Sequence, residues 1–179
     1  MGNNSGIKKI GLLGGSFNPP HQGHLHISDL ALKNLKLDEI WWIPTLKNPL
    51  KDEKIYENYQ IRLEKCQLLI ENQPKIKIRA FDEIYTIELI EKLQKNHKNI
   101  DFFWIMGADN LKNMHLWKNF EKLIELIPFA IFSRENHLEN VNKTEAFKIM
   151  DKNLKCHLMI FESENYDISS TQIRGNLNV

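Results

Sequence analysis

An α/β domain built on a doubly wound parallel sheet is the fold class this sequence predicts, and three observations lead there. Strand-like apolar runs alternate with helical patterns from one end of the chain to the other. Several of those runs are β-branched or aromatic with no polar face, as a sheet covered on both sides requires. Between the first run and the first helix lies a turn rich in glycine and histidine, Gly14-Gly15-Ser16-Phe17-Asn18-Pro19-Pro20-His21-Gln22-Gly23-His24. In an open parallel sheet such a turn faces the crevice where ligands bind.

The strands are expected at Lys8–Leu13, Glu39–Pro44, Ile76–Arg79, Ile100–Met106, Pro128–Ser133 and His157–Phe161. Helices fill the gaps at Gly23–Leu37, Glu57–Glu71, Thr86–Lys95, Phe120–Leu126 and Lys143–Asn153. In the first helix Ile27, Leu30, Ala31 and Leu35 fall at helical spacing. In the second, Ile61, Cys66, Leu68 and Leu69 are expected on one side and charges on the other. Right-handed crossovers between such units give a parallel sheet. No repeat, low-complexity tract or long linker interrupts the pattern, so residues 1–179 read as one domain. Residues 1–6 read as a flexible N-terminus, and the Lys-, Asn- and Pro-containing stretch Thr45–Lys54 as a mobile flap.

Composition narrows the partners. With 24 Lys+Arg against 23 Asp+Glu the formal charge is +1, which supplies no field for nucleic acid or a membrane surface. No apolar run approaches the ~20 residues of a transmembrane helix, and no signal-peptide core is present. Two cysteines far apart, Cys66 and Cys156, fit a reduced, cytoplasmic chain better than a disulfide framework. This surface leaves self-association into a homo-oligomer open.

The opening motif carries the chemistry. His21 and His24 stand three apart at a helix start and can face the same way. They could ligate a metal, cap and pack, or bind phosphate by donating hydrogen bonds or by carrying charge when protonated. A metal site would need further ligands that no nearby Cys, His or Glu spacing supplies, so no metal site is assigned. Neither G-x-x-x-x-G-K-[ST] nor G-x-G-x-x-G is present. Gly14, Gly15 and Ser16 at a helix start suit phosphate binding without either standard loop. A second such start lies at Ile168–Arg174, where Ser169 or Ser170 can cap, Thr171 lies in the first turn and Arg174 adds a cation.

These residues resemble a known family. His21-Gln22-Gly23-His24 matches the H-x-G-H motif of the nucleotidylyltransferase superfamily, whose fold is Rossmann-like. The fuller stretch Gly14–His24 is similar to nicotinate-mononucleotide adenylyltransferases. Further motifs follow in family order: Trp41–Lys51, Tyr85-Thr86, Ile105–Leu111 with Trp117, and Ile168–Arg174. The resemblance implies ATP held by Gly14, Gly15, Ser16, Phe17, Gly107, Asp109, Ser170 and Thr171, with His21, His24 and Arg174 at the reacting phosphates. It implies a pyridine mononucleotide held by Lys51, Tyr85, Thr86 and Trp117, and Mg²⁺ on the triphosphate. The reaction implied is transfer of AMP from ATP to nicotinate mononucleotide, with release of pyrophosphate, in NAD biosynthesis.

Plainer readings stand beside these. Asp109 could cap a short helix after it, Trp117 could be core, and Lys47 and Lys51 could be solvated. Other functions compatible with the motif are a sister enzyme, such as phosphopantetheine adenylyltransferase or a cytidylyltransferase, and a nucleotide-binding remnant without turnover. The remnant reading rests on the five residues that follow Arg174, Gly175 to Val179, where the family usually continues.

Overall fold

The structure, a computed structural model, describes residues 6–46, 56–134 and 138–163. Six strands form one sheet: β1 (Lys8–Gly15), β2 (Glu39–Pro44), β3 (Ile76–Ile78), β4 (Ile100–Gly107), β5 (Phe129–Arg134) and β6 (Leu158–Ser163). Their order is β3-β2-β1-β4-β5-β6, and every pairing is parallel. Strand order therefore reverses between β1 and β4, the switch point at which such sheets open a crevice beyond their carboxyl ends. The helices are α1 (Gln22–Asn34), α2 (Tyr59–Leu69), α3 (Thr86–Asn96), α4 (Leu111–Met114), α5 (Phe120–Leu126), α6 (Leu138–Asn142) and α7 (Glu145–Lys152).

Side-chain alternation along the strands divides the core in two. Ile10, Leu12, Trp41, Ile43, Phe102, Trp104, Met106, Phe129 and Ile131 join α3, α4, α5 and α7 on one face. Leu13, Ile40, Trp42, Ile105, Ala130 and Phe132 join α1 and α2 on the other. A strand with both alternating sets buried reads as a continuous apolar run, which is why β2 and β5 are plain in the sequence. Each large side chain so buried contributes roughly 1.5–3 kcal/mol. Among the described residues no helix is long and apolar enough to cross a membrane. Cys66 and Cys156 are both free, and burial pushes their thiols up, to about 12 and about 11.

Four expectations need correction. Helix α1 begins at Gln22 and ends at Asn34, short of Leu37, because Lys36 turns into the left-handed region at φ 52°. In α2, Ile61 and Leu68 are 45% and 72% exposed, and the helix instead buries Arg62 and Cys66. The short helix α6 has no counterpart among the expected elements, being too brief to show a period. Asp109 does not cap α4: it lies within a 3₁₀ turn, Ala108–Asn110, and Gly107 and Asn110 occupy the two N-cap positions.

Two glycines on β1 are required by packing, to different degrees. A Cβ on Gly11 would lie 2.3 Å from Ile105 Cδ1 and 2.8 Å from Leu37 Cδ1, both mobile side-chain ends. A Cβ on Gly14 would lie 2.5 Å from the rigid six-membered ring of Trp104. Gly14→Ala is therefore expected to lower the urea unfolding free energy by about 1–3 kcal/mol, and Gly11→Ala by less. Equal losses in the two variants would contradict this account.

Candidate active site

The Gly14–His24 motif spans the end of β1 and the first turn of α1. Phe17 is the residue that bends it. Its φ of 46° is left-handed, a conformation that for a bulky side chain costs of order 1–3 kcal/mol and persists only where packing enforces it. The packing is present: the Phe17 ring is 1% exposed, stacks on Trp42 at 5.0 Å and lies 4.6 Å from the His24 ring. The Asn18–Pro19 peptide that follows is cis.

The two histidines cap the helix reciprocally. Nδ1 of His21 accepts from the Gly23 N–H at 3.1 Å, and Nδ1 of His24 accepts from the His21 N–H at 3.1 Å. Their rings are 3.9 Å apart. The Ser28 hydroxyl donates to the His24 carbonyl at 2.8 Å and accepts from the Trp42 indole N–H at 2.9 Å, tying α1 to β2. A nitrogen that accepts must keep its lone pair, so both imidazoles carry their proton on Nε2. Capping therefore engages Nδ1 of each ring and leaves the proton on Nε2. Burial and then the neighbouring His21 push His24 down to about 3. Of the two modes open to His24, a neutral hydrogen-bond donor or a protonated cation, its burial favours the neutral form. Among the described residues no group of three or more His, Cys, Asp or Glu side chains could hold a metal ion.

A cleft opens under this turn. Gly14, Gly15 and Ser16 line one wall, Pro44 and Thr45 another, and Tyr85, Thr86 and Trp117 a third. Six residues expected at two different substrates (Gly14, Gly15 and Ser16 for ATP, Tyr85, Thr86 and Trp117 for the acceptor) are thereby brought to one cavity. Tyr85 is the N-cap of α3 and makes no side-chain cap bond, so the N–H groups of Thr86 and Ile87 have no capping side chain, while that of Glu88 bonds the Tyr85 carbonyl at 3.1 Å. Trp117 serves both readings offered for it, meeting Trp104 edge-on at 6.1 Å and packing against the core cluster while lining the cleft. Lys118 at the rim bonds Glu88 at 2.6 Å and sits 4.3 Å above the Tyr85 ring; the carboxylate holds its ammonium above the usual lysine range.

The remaining expectations fall elsewhere. Phe17 lies beneath the turn, in the core. Gly107 and the exposed Asp109 follow β4, across the switch point from the motif. A Cβ on Gly107 would make only an ordinary contact, 3.6 Å from Ile27, so protein packing does not require a glycine there. Lys47, Lys51, Ser169, Ser170, Thr171 and Arg174 lie outside the described residues.

Two site residues were missed. Trp104 is a cleft-lining side chain that reads in sequence as one more strand residue; its indole N–H is buried with no acceptor. Arg62 reads as one of the charges on the outer side of α2, yet it is buried and bonds the motif itself through Ser16. The only signal for it was its place among aromatic residues, Tyr56 and Tyr59.

The lowered His24 pKa has a consequence for stability. A histidine near 6.5 when unfolded and about 3 when folded binds its proton preferentially in the unfolded state between those values. Stability is then fully present above pH 6.5 and falls as pH drops toward 3, by up to about 1.4 kcal/mol per pH unit. Urea titrations across this window are expected to show a shallower slope for His24→Gln. An unchanged slope would show that His24 is not buried in its neutral form.

Comparison with known proteins follows the same lines. A family model described as cytidylyltransferase-like matches residues 12–176. A protein of Agrobacterium fabrum is 40% identical over 129 residues, which cover 70% of this chain and 68% of that protein; one of Clostridium tetani is 35% identical over 176 residues, covering 96% and 88%. Both carry the name probable nicotinate-nucleotide adenylyltransferase. The fold superposes on Plasmodium falciparum nicotinic acid mononucleotide adenylyltransferase complexed with NaAD, with a TM-score of 0.76 at 22% identity, covering 94% of this chain and 83% of that one. The chain thus belongs to the cytidylyltransferase-like family and, within it, to the nicotinate-nucleotide adenylyltransferases, nucleotidyl transferases of NAD biosynthesis.

Proposed function

We propose that the cleft between the β1 turn and the start of α3 is where the 5′-phosphate of nicotinate mononucleotide attacks the α-phosphorus of ATP. The observation that carries this reading is the α3 N-terminus: Tyr85 caps it without a side-chain bond, and Tyr85, Thr86 and Trp117 line one cavity with Gly14, Gly15 and Ser16. Uncapped N–H groups at a helix start favour an anion, and the nicotinate carboxylate is one. The flat ring has an indole, Trp117, to lie against.

No side-chain nucleophile is required, because the attacking phosphate oxygen is already anionic. A P–O bond forms at the α-phosphorus as the bond to the β-phosphate bridging oxygen breaks, and pyrophosphate leaves with that electron pair. The protein's part is to align the two substrates and stabilise charge on the phosphoryl oxygens. The Nε2–H groups of His21 and His24 act as hydrogen-bond donors there. Gly15 and the exposed backbone of the turn let the triphosphate approach, and Asp109 beyond β4 accepts from ribose hydroxyls. Ser170, Thr171 and Arg174 hold the leaving end, and Lys51 the acceptor phosphate. ATP enters as its Mg²⁺ complex, the ion carried on phosphate oxygens and water as part of the substrate. We assign the activity to the cytoplasm, with no nucleic-acid or membrane partner; assembly of the chain into a homo-oligomer is compatible with this reading.

A pyrophosphate-release assay with nicotinate mononucleotide, nicotinamide mononucleotide and phosphopantetheine as acceptors tests the reading. Turnover is expected with the first, with kcat/KM at least roughly 10-fold above the amide. Turnover with phosphopantetheine alone would transfer the chain to a sister activity, and ATP binding without turnover would make it a remnant. His24→Ala is expected to reduce kcat by about 10²–10³. A variant of full activity would remove His24 from the mechanism.

A further inference from the structure

Among the described residues Arg62, at 1% exposure, is the one charged side chain that is buried. Among the described residues no carboxylate bonds it directly, although that of Glu57 lies near enough to favour its charge. Nη1 donates to the carbonyl of Ser16 at 2.5 Å, and Nη2 to the carbonyls of Thr45 at 3.0 Å and Leu46 at 3.4 Å. Nε donates to the carbonyl of Glu57 at 3.2 Å, and the Tyr56 and Tyr59 rings lie 5.5 and 5.2 Å from the guanidinium carbon. A buried charge held by carbonyls alone is a poor way to add stability, since an apolar residue of similar volume generally serves a core as well or better. A planar fork with donors at fixed angles is, however, well suited to holding several carbonyls in one geometry.

Those carbonyls belong to two different walls of the cleft. Ser16 is in the turn after β1, on the side assigned to ATP, and Thr45 follows β2, on the side of the acceptor. The walls also meet directly: β1 pairs with β2 as far as Gly14–Ile43 and Gly15–Pro44, and beyond the ladder the Thr45 N–H and hydroxyl reach the Gly15 carbonyl at 2.9 and 3.3 Å. A second tie runs from Glu57, just before the α2 N-cap, to the motif, where Asn18 Oδ1 accepts from the Glu57 N–H at 3.1 Å.

We propose that Arg62 is a positioning residue for adenylyl transfer: by holding the Ser16 carbonyl together with those of Thr45 and Leu46, it sets the phosphate-binding turn against the acceptor wall. The inference rests on the proposed function and adds to it a residue that touches neither substrate. Misplacement of one substrate relative to the other by an ångström is enough to lower kcat about 10²-fold. A residue that fixes both walls should also alter the KM of both substrates together.

Two variants test this. R62M keeps the volume without the charge, and R62K keeps a charge that can serve only part of the carbonyl set. Each is to be measured for circular dichroism, Tm, kcat, both KM values and ATP affinity by calorimetry. The expected result is folded protein with kcat lowered about 10- to 100-fold in R62M and less in R62K, both KM values raised, and ATP bound more weakly. Folded variants with wild-type kcat would overturn the inference. So would a change confined to one substrate, or failure of both variants to fold at the assay temperature, which would assign Arg62 to stability. A wild-type protein without turnover would count against the proposed function alone. Weaker ATP binding by R62M would then still support the coupling of the walls, and unchanged binding would overturn it.

Discussion

The parallel pairing of β1 with β2 on one side and β4 on the other is the constraint on which the rest of this molecule depends. Because all six strands run the same way, every strand-to-helix turn emerges at one edge of the sheet, and residues far apart in sequence meet there. The register makes this concrete: Leu13 stands opposite Trp42 on β2 and Ile105 on β4, so the motif at Gly14–Ser16, the turn at Thr45 and the block at Gly107 come off adjacent strands at the same level. An antiparallel neighbour would carry one of them to the opposite edge. The helices on the two faces bury the apolar sets that hold this arrangement, and they also aim the α3 N-terminus at the cleft.

Within that frame the glycines separate by what demands them. Gly11 and Gly14 are excluded from carrying a side chain by Ile105, Leu37 and Trp104, so their absence of a Cβ is explained inside the core. Gly15 and Gly107 are not: an added Cβ would meet only ordinary contacts, 3.5 Å from Phe17 and 3.6 Å from Ile27. Both stand at the ends of the two strands flanking the switch point. Space that packing does not need, at the place where a nucleotide backbone would approach, accords with the ligand-binding role assigned to them.

Much of this was legible in the sequence. β2 and β5 carry apolar runs buried on both faces, and such a run declares itself without a partner, whereas β3 alternates, with Lys77 exposed between Ile76 and Ile78. The motif residues were legible because glycine, hydroxyl and imidazole at a strand-to-helix turn have few joint uses. Arg62 was not legible, since amphipathic periodicity assigns charge to the outside and the carbonyls that hold this side chain come from residues 16, 45 and 46, remote in the chain. Ile61 and Leu68 were misplaced for the same reason: the helix rotates to bury Arg62 and Cys66, leaving two apolar residues exposed. The roles of the histidine nitrogens were beyond sequence too, because only the backbone geometry of the α1 cap decides which nitrogen keeps its proton.

The charge balance of the reaction follows from the same details. Two phosphate-bearing substrates bring several negative charges into one cleft, and His24, held neutral by burial and by His21, contributes a hydrogen bond without a countercharge. Among the described residues lining the cleft the cation is Lys118, already engaged with Glu88. Arg62 is turned to carbonyls beneath the surface. The described framework therefore offers shape, donors and alignment, and the proposed reaction leaves the positive charge to the Mg²⁺ proposed to accompany ATP and to Arg174 and Lys51, the cations that the sequence resemblance assigns to the two substrates. In the proposed reaction one part of the charge that binds phosphate thus enters with the nucleotide, and the other belongs to the chain's own Arg174 and Lys51.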